Sequence, residues 1–308
     1  MWEQPVLYSL LACVALVGLS GNALVLVALL RYKQSRKEPC AYLFAALAVC
    51  DGIVDFGMFI QAIGHLYYEL NETAQYNSLK CLLIEALAAG GVYSSQMLTV
   101  AVAWDRVEAL SDPVNYQHLN HRRFAQRSLI SAFVSALGIT LAPLTMIEFE
   151  SVPESCTFAA SVPWSYSIFF GLFTTSLSCL IIGLYLSMLR LMHRMEKESL
   201  GNASLRERMS ARHLKICKTI QKVLGFFVCF WLMPNVSFGV MTAVGLSSKS
   251  IARFIPVFSI SLTFNSAINP IIYALKIGSI RRGMVCVLKC KSPTVVASST
   301  IAGTIKKF

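Results

Sequence analysis

Histidine is nearly absent from this 308-residue chain, and its five copies (His65, His118, His121, His193 and His213) all fall in loops or at the edges of apolar runs. An intramembrane hydrolase needs a paired nucleophile and base, or clustered imidazole ligands, inside the fold. That chemistry is excluded, and no enzyme is expected. Charge is also scarce. Only 14% of residues are charged and 56% are apolar, with a mean hydropathy of +0.60. An ordinary soluble domain carries about a quarter charged residues, so a soluble fold is excluded. Internal repeats are lacking as well, which argues against a transporter built from inverted halves. The start lacks a basic leader (Glu3 stands there), and the apolar run behind it is too long for a cleaved signal, so it reads as a retained anchor.

Long apolar runs, by contrast, abound. Stretches of about 20 residues span a bilayer, and seven are readable: Val6–Leu30, Cys40–Ile63, Leu82–Ala103, Ser128–Ile147, Ala159–Leu191, Val223–Leu246 and Ile255–Leu275. The expected fold is an all-α bundle of seven transmembrane helices. Of the 27 basic residues, all but Lys80, Lys249 and Arg253 lie on alternate connections. The positive-inside rule then puts the N-terminus outside and the C-terminus in the cytosol, which requires an odd number of spans. The net charge of +11 is therefore topology, and nucleic acid is not an expected partner.

Polar groups inside these runs are costly, because lipid offers them no partner. The stretch Phe264–Tyr273 holds Asn265, Asn269, Pro270 and Tyr273, and Pro270 predicts a kink. Asp51 and Asp55, four residues apart, share one helix face. Asp51 reads as functional, with a protonated core acid as the alternative; Asp55 reads equally as a pocket acid or a packing partner. Asn22 reads as a structural amide bonding a neighbouring helix. Asp105 and Arg106 close the third run, where plain interface charges would also fit. Of ten cysteines only Cys81 and Cys156 face an oxidising compartment, so a Cys81–Cys156 disulfide is expected. Asn71 begins an external N-x-T glycosylation acceptor. Residues 278–288 alternate basic and apolar positions like a short interfacial amphipathic helix. Cys286 and Cys290 beside it are palmitoylation candidates. The expected organisation is one receptor-like domain over 1–288 and a short disordered tail over 289–308.

The joint order of Gly21-Asn22, Leu47-Ala48-x-x-Asp51, Cys81, Asp105-Arg106, Tyr185, a Trp/Pro pair in the sixth run and Asn269-Pro270-x-x-Tyr273 resembles the rhodopsin-like G protein-coupled receptors. The short N-terminus, the Asp105-Arg106-Val107 form and the Cys-bearing tail look more like nematode serpentine chemoreceptors of the srsx type. The resemblance implies a plasma-membrane receptor that transduces an extracellular ligand to a heterotrimeric G protein, with receptor kinase and arrestin as further partners. It implies that Arg106 contacts the G protein on activation while Asp105 restrains it at rest. It implies that Tyr185 and Tyr273 stabilise the active state, beside Asn269 and Pro270. Trp231 and Pro234 would form a toggle and hinge. Asp51, Ser95, Asn265 and Asn269 would surround an allosteric sodium ion, a set of hard oxygen and amide groups that suits such a cation; no other cofactor is expected.

Departures from the family pattern matter. Trp231 stands three residues before Pro234 where the family has two, which puts the toggle in question. Leu177 replaces the usual Pro of the fifth run. Arg212-His213-Leu214-Lys215 replaces the usual acid at the inner start of the sixth, so raised basal activity is expected. Ala88 stands where amine receptors carry Asp, and Thr263 where a retinal-binding relative needs Lys, which argues against both ligands. Asp55, Gln61, Glu85, Ala88, Tyr93 and Gln96 are the candidates for an upper pocket, suited to a small, largely apolar ligand, expected to be chemosensory. The alternatives are a basic peptide drawn to Glu148, Glu150 and Glu154, or a seven-span transporter or channel.

Overall fold

The computed structural model describes residues 3–32, 40–71, 76–148, 151–152, 156–158, 160–199, 221–222, 225–244, 250 and 253–289, and all regular structure among them is helical. Six helices are long and apolar enough to cross a membrane. In chain order these are the first span Glu3–Arg31, the second Ala41–Leu70, the third Ser78–Ser111, the fourth His121–Leu141, the fifth Trp164–Ser199 and the seventh Ile255–Lys276. Between the last two lies the sixth crossing, a π-helical turn Val228–Leu232 that runs into the α-helix Met233–Ala243. The expected seven-helix bundle is the observed one.

The third and fourth spans outrun their apolar cores because capping groups extend them into the polar boundary. The Asn77 side chain accepts the Lys80 N–H at 2.9 Å and starts the third span before Leu82. Asn120 does the same for Arg123 at 3.0 Å, ahead of the fourth span's apolar run. That span ends at Leu141, and Pro143 follows within the 3-10 turn Ala142–Thr145. Beyond the seventh span, the helix Gly278–Leu288 buries Ile280, Gly283 and Met284 and exposes Arg281, Arg282 and Leu288, the expected amphipathic division. It rests against the first and seventh spans.

The first span packs on the second and seventh, and the third span packs on the second, fourth and fifth. Spans two and three meet backbone to backbone. A Cβ on Gly57 would stand 2.6 Å from the Ala88 nitrogen, and one on Gly91 would stand 2.8 Å from the Val54 nitrogen. Without a hydrophobic drive between helices in lipid, such small-residue crossings bring the polar faces within reach of each other. At the N-terminal end of the third span Cys81 and Cys156 form the expected disulfide, with 5.3 Å between Cα atoms. Ser78 adds a backbone bond to the Ser151 carbonyl at 2.8 Å. The outer loop is thus pinned to the head of the third span.

The glycine crossing predicts an asymmetry among glycines. Gly91→Val should lower the thermal midpoint of detergent-purified protein by roughly 5 °C, an overpacking cost of about 1–3 kcal/mol. Gly138→Ala, whose added methyl meets nothing within 4 Å, should leave it unchanged. Equal midpoints for the two variants would refute the backbone contact as a packing constraint.

Candidate functional site

Two acids organise the middle of the bundle. Asp51 is fully buried; the Ser95 hydroxyl of the third span donates to its Oδ1 and the Asn269 amide of the seventh donates to its Oδ2 at 2.7 Å. Asp55, one turn along the same face, is also fully buried. Its Oδ1 accepts from the Ser266 hydroxyl and its Oδ2 from the Asn22 amide at 3.0 Å. Gly18 leaves room for that carboxylate, since a Cβ there would stand 2.6 Å from its atoms. Asn22 thus bonds a neighbouring helix, and Asp55 sits in a web joining spans one, two and seven. Ser266 and Gly18 were not singled out from sequence; a serine inside the Asn265–Asn269 stretch was the available signal.

A second constellation closes the C-terminal end of the third span. Arg106 is 1% exposed and Asp105 is 3% exposed. The Arg106 Nε donates to Asp105 Oδ2 at 2.9 Å, and its Nη2 donates to the same oxygen and to the Tyr116 hydroxyl. That hydroxyl lies 3.1 Å from both Asp105 oxygens and donates to the carboxylate. Tyr116 reaches this place because a short helix, Pro113–Tyr116, turns the chain back. Asp112 caps it by accepting the Asn115 N–H at 3.1 Å and its side-chain amide at 2.6 Å. Those bonds hold the Asp112 carboxyl below its usual range. Burial pushes the Tyr116 phenol above its usual range, so it remains a neutral donor. His121 Nδ1 stands 3.7 Å from Asp105, its ring 4.4 Å from that of Tyr116. Sequence reasoning missed Tyr116 and His121. The acid-Pro cap two residues into the loop was the only hint of the turn. Residues 212–215, where the sixth-span acid is replaced, lie outside the described residues.

In the sixth crossing, Trp231 is 5% exposed and stacks on Phe227 with ring centroids 5.3 Å apart. A π turn holds one more residue than an α turn. The turn Val228–Leu232 therefore absorbs the extra residue between Trp231 and Pro234, and the indole still faces the core. Pro234 has no N–H for the Phe230 carbonyl, and the Ser261 hydroxyl of the seventh span donates to it at 3.0 Å. The Asn235 amide donates to the Trp231 carbonyl at 2.6 Å. Tyr185 is half-buried against the main core, and Tyr273 is buried with its ring 4.7 Å from Phe44. Pro270 sits inside the seventh span, close to Gly21.

The upper-pocket candidates each have contacts of their own. Glu85 accepts from the Gln61 amide at 2.9 Å and pairs with His65 Nε2 at 2.9 Å, and the His65 ring stacks on Tyr8. Ala88 backs onto Gly57, and Tyr93 packs against Phe173. Gln96 donates to the Thr174 carbonyl at 2.8 Å and to the Ser178 hydroxyl at 2.9 Å, both on the fifth span. It also lines a small cavity with Ser95, Trp231 and Asn265. Asn71 is exposed at the outer end of the second span, and Cys286 is half-buried in the last helix. Cys290, Glu150, Glu154 and the tail from 290 onward lie outside the described residues.

Residues 21–273 match the family model for the 7 transmembrane receptor (rhodopsin family). The chain is similar to the adenosine receptor A3 of Canis lupus familiaris, 22% identical over 302 residues and covering 93% of each chain. It is similar to the adenosine receptor A2b of Bos taurus, 24% identical over 302 residues, covering 89% of this chain and 86% of that one. It is also similar to the G-protein coupled estrogen receptor 1 of Danio rerio, 24% identical over 271 residues, covering 84% of this chain and 72% of that one. Seven crossings, a buried acid web and a sequestered Arg106 are thus joined to a match over most of the chain: this protein belongs to the rhodopsin family of seven-transmembrane, G protein-coupled receptors.

Proposed function

We propose that the chain is a plasma-membrane receptor for a small extracellular ligand, with its N-terminus outside, whose resting state is held by the Asp105–Arg106–Tyr116 cluster. The burial of Arg106 carries this reading. A guanidinium needed by a cytosolic partner is withheld, with hydrogen bonds to a carboxylate and a phenol. Such charge-assisted bonds contribute about 1.5–3 kcal/mol when well made, enough to bias a two-state equilibrium. Activation would free Arg106, with Tyr185 and Tyr273 filling the space left. Receptor kinase and arrestin remain proposed partners. A small ligand is favoured over a peptide because two of the relatives are named for adenosine, and a nucleoside is the first molecule to try. The narrower chemosensory role, and the srsx subdivision with it, rests on the Asp105-Arg106-Val107 form.

Sodium is proposed at Asp51. The acid is enclosed, no basic side chain bonds it among the described residues, and hydroxyl and amide groups converge on it from the third and seventh spans. Asp51, Ser95, Asn265 and Asn269 would hold the ion. The cation would offset a buried negative charge in the resting state and oppose activation.

Two measurements test these readings. In membranes with matched surface expression, Arg106→Ala should abolish ligand-independent nucleotide exchange on the G protein. Tyr116→Phe, which removes the hydroxyl's bonds to both Arg106 and Asp105 from the restraint, should raise it roughly threefold to tenfold, the factor equivalent to about 0.7–1.4 kcal/mol. A Tyr116→Phe signal at or below wild type would sink the lock. Separately, exchanging N-methylglucamine for about 100 mM sodium at constant ionic strength, a range in which exposed charges are already screened, should lower the wild-type signal and leave Asp51→Asn unaffected. Equal sodium responses in the two would remove the ion from the mechanism.

A further inference from the structure

Serine and threonine hydroxyls inside a helix usually turn back to the carbonyl four residues earlier. Ser20, Thr99, Thr140, Ser187 and Thr263 all do so here, at 2.6 to 2.9 Å. Ser261 departs from this default. Its hydroxyl leaves the seventh span and donates to the Phe230 carbonyl of the sixth crossing at 3.0 Å. The Phe264 ring, three residues on and on the same helix face, stacks against the Phe230 ring with centroids 5.9 Å apart. The seventh span thus holds Phe230 by its main chain and by its side chain. Among the described residues that span is also the chief packing neighbour of the π turn.

The reason lies in the break of the sixth crossing. A helix broken at proline leaves carbonyls without N–H partners, and lipid supplies none. Two of them take donors from side chains. The Asn235 amide covers the Trp231 carbonyl from within the same helix, at 2.6 Å. That bond travels with the helix whenever it moves. The Ser261 bond does not: a displacement of the sixth crossing against the seventh must break it and strip the Phe230 carbonyl of its donor.

We infer that Ser261 is a clasp on the sixth crossing, a positioning residue whose hydroxyl holds the broken helix against the seventh span at rest. It touches no ligand and acts through the Phe230 carbonyl. Activation releases it. The inference rests on the receptor reading, in which the Pro234 hinge opens, but needs neither the Tyr116 restraint nor sodium at Asp51.

With surface expression matched, Ser261→Ala should raise ligand-independent nucleotide exchange roughly threefold to tenfold, the factor one net hydrogen bond supplies. Ser261→Thr keeps the hydroxyl and should stay at the wild-type level. In a Pro234→Ala background the restored N–H can serve the Phe230 carbonyl, so adding Ser261→Ala should change nothing further. A Ser261→Ala signal at or below wild type, or an equal gain in both backgrounds, would overturn the clasp. Tyr116→Phe run alongside separates the two restraints: a gain there without one in Ser261→Ala removes the clasp alone, and the reverse removes the Tyr116 restraint alone. The bond itself is read in purified full-length receptor, without signalling. Phe230-Trp231 is the sole Phe-Trp pair in the sequence. Isotope labels on phenylalanine carbonyl carbon and tryptophan nitrogen therefore isolate the Phe230 carbonyl in NMR spectra. Its resonance should move upfield in Ser261→Ala and hold its place in Ser261→Thr. A resonance that ignores both substitutions would overturn the inference, even where basal exchange is too low to measure.

Discussion

Lipid offers no hydrogen bonds, and that deficit governs how the bundle is assembled. Every amide, hydroxyl and carboxyl carried into the spans must find its partner on another helix or in its own backbone. An unpartnered polar group in an apolar medium costs several kcal/mol, comparable to the whole stability of a domain. Asp51 and Asp55 meet this demand by drawing donors from three different spans, Asn22 from the first, Ser95 from the third and Ser266 and Asn269 from the seventh. The helices are therefore joined by shared polar atoms as much as by packing. The close crossing at Gly57 and Gly91 is what brings the second and third spans near enough for this.

The third span is where the outer, middle and inner parts of the molecule connect. Cys81 anchors the outer loop at its head, Glu85 holds Gln61 and His65 one turn below, Ser95 and Gln96 reach the second and fifth spans, and Asp105–Arg106 closes its foot. A change at one end of the bundle thus has a continuous, rigid element along which to act on the other. Tyr116 gives that foot a restraint which needs no partner on the sixth crossing.

The fold was legible because burial in a membrane leaves long apolar runs, and the alternation of Lys and Arg makes the number of crossings odd. Asp51 stood out for a related reason, since an acid in such a run is too expensive to be incidental; Ser95 and Asn269, which bond it, were reached only through the resemblance. Helix ends were not, since caps such as Asn77 and Asn120 carry helices past the apolar boundary. Nor was the partner of Asp55, because Ser266 lies 211 positions away and a serine is unremarkable in any helix. The Trp231–Pro234 spacing looked like a loss of the inward indole. A π turn, invisible to a 3.6-residue period, restores its direction. Tyr116 was hidden in a loop, where aromatic residues carry no periodic signal.

One close contact also constrains how this chain can change. Gly18 and the Asp55 carboxylate occupy adjoining volume with nothing to spare between them. Any lineage that gained a side chain at position 18 would first have to shorten or lose the acid at position 55, and Asn22 and Ser266 would then have to find new partners. The four positions form a single heritable unit, and the order in which its members could be replaced is set by sterics before function is ever consulted.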